Sequence, residues 1–396
     1  MTTTLADVRT TNLAVVLRHL RTHGPSSRAA IAASTGLTKA TVSSLTGDLI
    51  GHRLLHETGQ AGNRIGRPAT VLALDGSAYA AIGVQVATDR LTALAVDYSG
   101  DQLLLWHRAF DGSPARAGAG RAVSAIIALA QRAATRVRQQ GRHVLGLTVA
   151  VPGLVTAEGA VRLSPALGWS DLDLRELVAG SLRQDDLAVT VANHAALAAV
   201  AELRHGGHAG VADLTYLTGA AGIEAGLIVE GRPLHGFRGF TGQAGRIAMG
   251  AADASTWADR AGIEPLVRRA LPDFDPEALS DLAPAADQVA ALARSGDAHV
   301  LGVLREAGGH LGRGLAVLAN LVNPEVFVLG DHFASLATWL IPPAAAELER
   351  HTLAPAAGGA RIVASSLGLH AAALGGAVSH LDHVDTGRIP RVAVSA

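Results

Sequence analysis

Apolar side chains near the start of the chain fall at Leu13, Val16, Leu17 and Leu20, the spacing of one helix face. The stretch "THGP" ends that helix, because glycine and proline do not continue it. A second helix is predicted from Ser27, whose hydroxyl suits an N-cap, through "RAAIAAST". Then "TGL" offers Gly36 for a tight turn, and a third helix starts at Thr38. Val42, Leu45 and Leu49 form its buried stripe, while Lys39, Ala40, Ser43, Ser44 and Gly47 lie on the opposite side. Helix, short glycine turn, helix is the helix-turn-helix pattern. Beyond it, "LLHETG" and "TVLALD" alternate as strands around a loop rich in Gly, Asn and Arg, which predicts a wing.

From about Ser77 the texture changes. "AAIGVQVATDRLTALAVDYSGDQLLLWHRAF" reads as strands joined by a tight turn, followed by a helix from about Ala117 to Gln140. "VLGLTVAVPGLV" supplies a strand and a Val-Pro-Gly turn, "DLAVTVANHAALAAVAELRHG" a strand running into a helix, and "ADLTYLTGAAGIEAGLIVEGRPLHG" a hairpin. A further strand at "EVFVLGD" repeats the order, which predicts two α/β lobes around a cleft. The expected division is a head over 1–76 and a body over 77–396. Lobe I of the body spans about 77–190 plus the C-terminal helix, and lobe II about 191–370. Within the tail "DTGRIPRVAVSA", Ile389 and Val392 are the side chains suited to order it against the body.

Charge sharpens the picture of the head. The chain of 396 residues carries a net charge of -1, yet residues 1–75 hold eight basic against four acidic side chains. A basic head on an acidic body points to a small nucleic-acid module. The chain's single Lys, against 32 Arg, is Lys39. It stands in the first turn of the third helix, where side chains of a recognition helix reach base edges in the major groove. Thr38, Thr41 and Ser43 are short hydroxyl donors for phosphate oxygens, and Ser27, Arg28, Ala40 and Ser44 complete the expected DNA contacts of the helices. At the wing tip, "NRIGRP" resembles an AT-hook grip, with Arg64 and Arg67 suited to a narrow A·T minor groove. There is no cysteine, which excludes disulfides, thiolate catalysis and cysteine-ligated zinc. No apolar run reaches the roughly 18 residues of a membrane span, so the expectation is a cytoplasmic chain with no membrane partner.

The segments "VAVPGLV", "LGW", the Asn193 helix, "GIEAGLIVEGRPLHGFRGFTGQAGRI", "NLVNPEVFVLGD" and "AALGGA" resemble the ROK family of repressors, open reading frames and sugar kinases. The resemblance spans nearly the whole chain and is most specific from Gly222 to Gly245. It implies an α/β fold in which a winged helix-turn-helix precedes a two-lobed, actin-like sugar-kinase body, the layout of the family's repressors.

The departures from the family pattern bear on chemistry. Where family kinases carry a "DxGGT" phosphate loop, this chain has "VQVATD", without the glycine pair that builds a phosphate nest. The position of the family's catalytic Asp is His194, after Asn193, and the late Gly-Gly reads Gly330-Asp331. Phosphoryl transfer depends on positioning and charge neutralisation, so no catalytic residue and no cofactor is expected. The counterparts of the family's sugar ligands are Ala166, Asn193, His194, Gln243 and Arg246. Arg in place of His adds five donors and a fixed positive charge, so a pocket of His194, Gln243 and Arg246, beside Asn193, suits an acidic or phosphorylated ligand better than a neutral hexose, and the expected effector is a sugar, a sugar phosphate or another acidic molecule. The family's cysteine-rich zinc loop is replaced by "GRIAMGAADASTWADRAG", which predicts no metal.

The expectation is therefore a non-enzymatic repressor that binds a pseudo-palindromic operator in double-stranded DNA as a homodimer or a dimer of dimers, tuned by a small molecule. Two alternatives stay open: a sugar kinase with a DNA-binding appendage, and an effector-independent DNA-binding scaffold.

Overall fold

The computed structural model describes residues 5–60, 70–110, 118–182, 187–208, 210–219, 222–250, 254–274, 282–353 and 359–390. The head is built from α1 (Leu5–His23), α2 (Arg28–Thr35) and α3 (Lys39–Gly51). Its sheet joins β1 (Ser26–Ser27), β2 (Leu55–Gln60) and β3 (Thr70–Leu74) in the order β1-β3-β2. Ser27 caps α2 by accepting the Ala30 N–H at 3.2 Å. Gly36 closes α2 at φ 74°, a left-handed conformation that glycine adopts without a Cβ penalty. Thr38 caps α3 by accepting the Thr41 N–H at 3.1 Å.

The body repeats one topology twice. Lobe I holds β4 (Tyr79–Val86), β5 (Arg90–Asp97), β6 (Gln102–Ala109), β7 (His143–Val151) and β11 (Ala188–Asn193), ordered β11-β7-β4-β5-β6. Between them run α4 (Ala119–Gln139), a small sheet of β8 (Leu154–Val155), β9 (Val161–Ser164) and β10 (Trp169–Leu172), and α5 (Leu174–Leu182). After α6 (His194–His205), lobe II holds β12 (Leu214–Thr218), β13 (Glu224–Val229), β14 (Arg232–Pro233), β15 (Val326–Leu329) and β16 (Arg361–Ala364). These are ordered β14-β13-β12-β15-β16. In both sheets three antiparallel strands are extended by two parallel ones.

Helices α7 (Trp257–Ala261), α8 (Ile263–Ala270), α9 (Leu282–Arg294), α10 (Ala298–Val322) and α11 (Asp331–His351) cover lobe II and share one core with it. Pro342 and Pro343 sit inside α11, where proline usually breaks a helix. Here Gly308 and Gly312 of α10 leave room for Pro343 and Ala344: a Cβ on Gly308 would stand 2.5 Å from Pro343 Cγ. Close packing against α10 outweighs the lost helix hydrogen bonds.

The last helix, α12 (Ala371–Asp385), packs on α6, β4 and β7 between the lobes. It also enters the head's core, where Leu17, Leu20 and Leu49 share a cluster with Tyr79, Tyr98, Ala377, Leu381 and Val384. Ile389 packs against the same cluster, while Val392 lies outside the described residues. Among the described residues no helix is long and apolar enough to cross a membrane.

Candidate DNA-reading head and small-molecule cleft

In α3 the predicted faces separate cleanly. Val42, Leu45, Thr46 and Leu49 are buried, whereas Lys39, Ala40, Ser43, Ser44 and Gly47 are exposed. Four expected contacts are engaged inside the head itself. Arg28 donates to Thr46 Oγ1 at 3.1 Å and to Glu57 at 3.0 Å, tying α2 to α3 and the wing strand. Thr38 and Thr41 hydroxyls bond each other at 2.8 Å, and Ser27 is spent on its cap. Arg9 pairs with Asp48, fixing α1 against α3. Arg64 and Arg67 lie outside the described residues.

The head is also fastened to the body. Arg21 of α1 donates to both oxygens of Asp385 of α12, at 2.9 and 3.2 Å. Its third nitrogen reaches the Tyr98 carbonyl at 2.9 Å, and its guanidinium stacks 5.0 Å from the Tyr98 ring centre. The Tyr98 hydroxyl closes the circuit by donating to Asp385 at 2.7 Å.

In the cleft, the four candidate ligands divide into two groups. Gln243 and Arg246 line an outer chamber of about 240 Å³ together with Ser164, Ala166, Glu224 and Asp259. Ser164 Oγ and Gln243 Nε2 are buried and have no hydrogen-bond partner among the described residues, a state that costs free energy until a ligand or water supplies one. Asn193 and His194 form the inner wall, and both face a carboxylate. Asn193 Nδ2 donates to Glu224 at 2.6 Å and to the Gly153 carbonyl at 2.9 Å. Its Oδ1 accepts the Ala196 N–H at 3.1 Å and caps α6. The Gly153 N–H donates to the other Glu224 oxygen at 2.9 Å. His194 Nε2 stands 3.4 Å from Glu224, with side-chain exposures of only 7% and 10%. Burial opposes a charge on His194, but Glu224, and then Asp331, outweigh it and raise the pKa. Burial likewise pushes Glu224 up, and His194, Asn193 and Gly153 outweigh it and lower the pKa. Each group thus favours the charged form of the other.

Behind His194 the crevice where the resemblance places a nucleotide phosphate is narrow. It measures about 20 Å³, room for one water. Asp89 pairs with Arg90 at 2.6 Å on its wall, and Asp331, at φ 46°, accepts the Thr218 hydroxyl.

The sequence reading missed Glu224, Ser164 and Asp259. Glu224 had a signal: it is the one charged residue in the glycine-spaced apolar run "GIEAGLIV".

The ROK family model matches residues 81–382, and the model of the IclR helix-turn-helix domain matches 10–59. The chain belongs to the ROK family. This ROK chain is 24% identical over 383 residues to a xylose repressor of Bacillus spizizenii, covering 95% of the chain and 96% of the relative. It is 26% identical over 352 residues to the DNA-binding transcriptional dual regulator NagC of Escherichia coli, covering 85% and 84%. The crystal structure of a ROK family transcriptional regulator, a homologue of the E. coli MLC protein, superposes with a TM-score of 0.76 at 20% identity. That match covers 96% of this chain and 98% of the other and carries the fold from head to tail.

Proposed function

We propose that this ROK regulator represses transcription by placing α3 of each protomer of a homodimer, or of each dimer in a pair of dimers, in the major groove of a pseudo-palindromic operator, and that its cleft holds a small-molecule effector rather than a substrate. The observation that carries the DNA reading is the exposed face of Lys39, Ala40, Ser43, Ser44 and Gly47 on a helix capped and braced within a basic head. Only Gly, Ala and short polar groups flank Lys39, so the helix can approach base edges closely. Two-fold symmetry of a dimer matches that of such an operator.

The narrow crevice behind His194 supports a non-enzymatic role. Its volume of about 20 Å³ is small beside a nucleoside triphosphate, and His194 faces the Glu224 carboxylate at 3.4 Å rather than an open catalytic position. The outer chamber, at about 240 Å³, fits a ligand of monosaccharide size. His194, Gln243 and Arg246 together suggested an acidic ligand. Glu224 and Asp259 line the same chamber and outnumber its one cation, so a neutral, hydroxyl-rich molecule fits better than an anion. Ser164 Oγ and Gln243 Nε2 are the groups that await its hydroxyls.

The test is fluorescence anisotropy with DNA from upstream of the chain's own gene. Nanomolar, sequence-selective binding that Lys39→Ala weakens supports the reading, and release by D-xylose, D-glucose or N-acetyl-D-glucosamine supports the effector. Weak binding to every DNA, with a salt slope that Lys39→Ala leaves unchanged, overturns it. A coupled ATP-consumption assay with the same sugars answers the kinase alternative.

A further inference from the structure

We propose that the inner half of the cleft is a carboxylate-binding site that the chain fills with its own Glu224. Two donors and an imidazole converge there from lobe I and its junction with α6: the Gly153 N–H after β7 and Asn193 Nδ2 at the end of β11, both hydrogen-bonded to the carboxylate, and the His194 ring at the start of α6, 3.4 Å away as its ion-pair partner. The carboxylate reaches them from β13, in the other sheet. The donors are set independently of their guest. Asn193 Oδ1 is held by the Ala196 N–H and Nδ2 also bonds the Gly153 carbonyl, so the amide has no other orientation open to it. Buried donors fixed in this way lose free energy when left empty, and charge-assisted bonds from them favour an anion over a neutral group.

Two consequences follow for ligand choice. A free molecule entering the cleft meets the outer chamber first, because the Gly153 N–H and Asn193 Nδ2 are already bonded to Glu224, which also stands 3.4 Å from the buried His194 Nε2. And Glu224 is the residue that ties lobe II to lobe I through hydrogen bonds at this point, bridging 71 positions of sequence to Gly153. The inference concerns the chain's own carboxylate and holds whether or not the outer chamber senses an effector.

Acetate reproduces the group that Glu224→Ala removes, which permits a rescue experiment on the full-length protein. Hydrogen exchange is followed by mass spectrometry at peptides containing Gly153 and the start of α6, with thermal melting alongside. Expected in Glu224→Ala is exchange at Gly153 at least tenfold faster than in the unsubstituted protein. Sodium acetate then restores protection saturably and raises Tm, sodium chloride of equal ionic strength does neither, and the unsubstituted protein responds to neither salt. Unchanged exchange at Gly153 in the variant overturns the proposal, as does equal action of acetate and chloride. An equal acetate response in both proteins also overturns it, marking an adventitious ion only. Should Glu224→Ala not fold, the isosteric Glu224→Gln carries the test: NMR titration must show the His194 pKa falling, and an unchanged value overturns the proposal. Rescue by acetate without any sugar response in either protein would sustain this site while refuting the effector reading.

Discussion

Asp385→Ala cuts the fastening between head and body, and its cost follows from the contacts it loses. Asp385 accepts two bonds from Arg21 and one from the Tyr98 hydroxyl, and its side chain is 14% exposed against 25% for Arg21. Hydrogen bonds to charged groups contribute about 1.5–3 kcal/mol each, and breaking a fully buried ion pair costs about 3–5 kcal/mol. Both figures must be reduced here. Arg21 keeps the Tyr98 carbonyl at 2.9 Å and the ring contact, and a quarter of its surface can be rehydrated. The expected loss is about 2–3 kcal/mol, below the buried-pair figure because the stranded cation is neither dry nor alone.

The assay is urea unfolding of the double-mutant cycle Arg21→Ala and Asp385→Ala, with hydrogen exchange along α1 to show where protection is lost. Residues in direct contact couple by about 0.5–3 kcal/mol, and two bonds in one fork place this pair above about 1 kcal/mol. Operator affinity should fall about three- to tenfold, since two loosened heads must regain their spacing on binding and a factor of ten corresponds to about 1.4 kcal/mol. Coupling within about 0.3 kcal/mol of zero, the additive range for independent sites, would refute the reasoning.

Gly36→Ala meets no steric obstacle but must hold a Cβ at φ 74°, so a loss of about 1–2 kcal/mol is expected from the left-handed conformation alone, read as a lower urea midpoint at unchanged m. Gly226→Ala places a Cβ 2.0 Å from the Ala195 carbonyl oxygen, under the start of α6; backbone on both sides cannot yield, and soluble yield should collapse. Arg28→Ala should lower thermal stability while leaving the salt slope of DNA binding unchanged, whereas Lys39→Ala should do the reverse, losing about 1–3 kcal/mol if it reads a base or about one unit of salt slope if it meets a phosphate. The His194–Glu224 pair predicts a stability plateau. The raised His194 contribution is complete below its unfolded pKa and is lost as pH rises through the folded value, above 6.5. The lowered Glu224 contribution is complete above its unfolded pKa and is lost as pH falls through the folded value, below 4.5. Stability measured against pH should therefore drop on both sides of that window in the unsubstituted protein and lose this component in Glu224→Gln.

Local rules made the head legible. Leu13, Val16, Leu17 and Leu20, the caps at Ser27 and Thr38, and Gly36 all act within one or two turns of chain, and each lies where the spacing put it. Strand β1 escaped because two residues carry no periodicity; it forms only because Ser26 and Ser27 lie beside Leu72 and Val71 of β3. Helix α11 escaped for the opposite reason, since Pro342-Pro343 is a strong local stop that tertiary packing on Gly308 overrides. The cleft was half legible. Gln243 and Arg246 do share one chamber, but the partner that occupies Asn193 and His194 comes from another strand. Only the fold shows that Glu224 faces donors rather than solvent, and with it that Arg246 is not the chamber's dominant charge.

Head and cleft share one helix, and that sets the terms on which a ligand could influence DNA. The N-terminal half of α12 is seated so tightly that a Cβ on Gly375 would stand 1.8 Å from the Leu197 carbonyl of α6, and one on Gly83 of β4 1.7 Å from the Ala373 carbonyl. Its C-terminal end carries Asp385, on which Arg21 and the head are fastened. Such a helix has little slack to absorb a shift of α6, so the packing offers a continuous route from α6 through α12 to α1. Geometry alone does not make this regulation. An effector releases DNA only to the extent that it binds one lobe arrangement better than the other, and a tenfold change in operator affinity needs about 1.4 kcal/mol of that difference. Glu224 is placed to supply it, because opening the cleft at Gly153 breaks its bonds to Gly153 and Asn193 together. In Glu224→Ala that difference is gone before any ligand arrives, so the variant's operator affinity should no longer respond to the effector even where its head is intact.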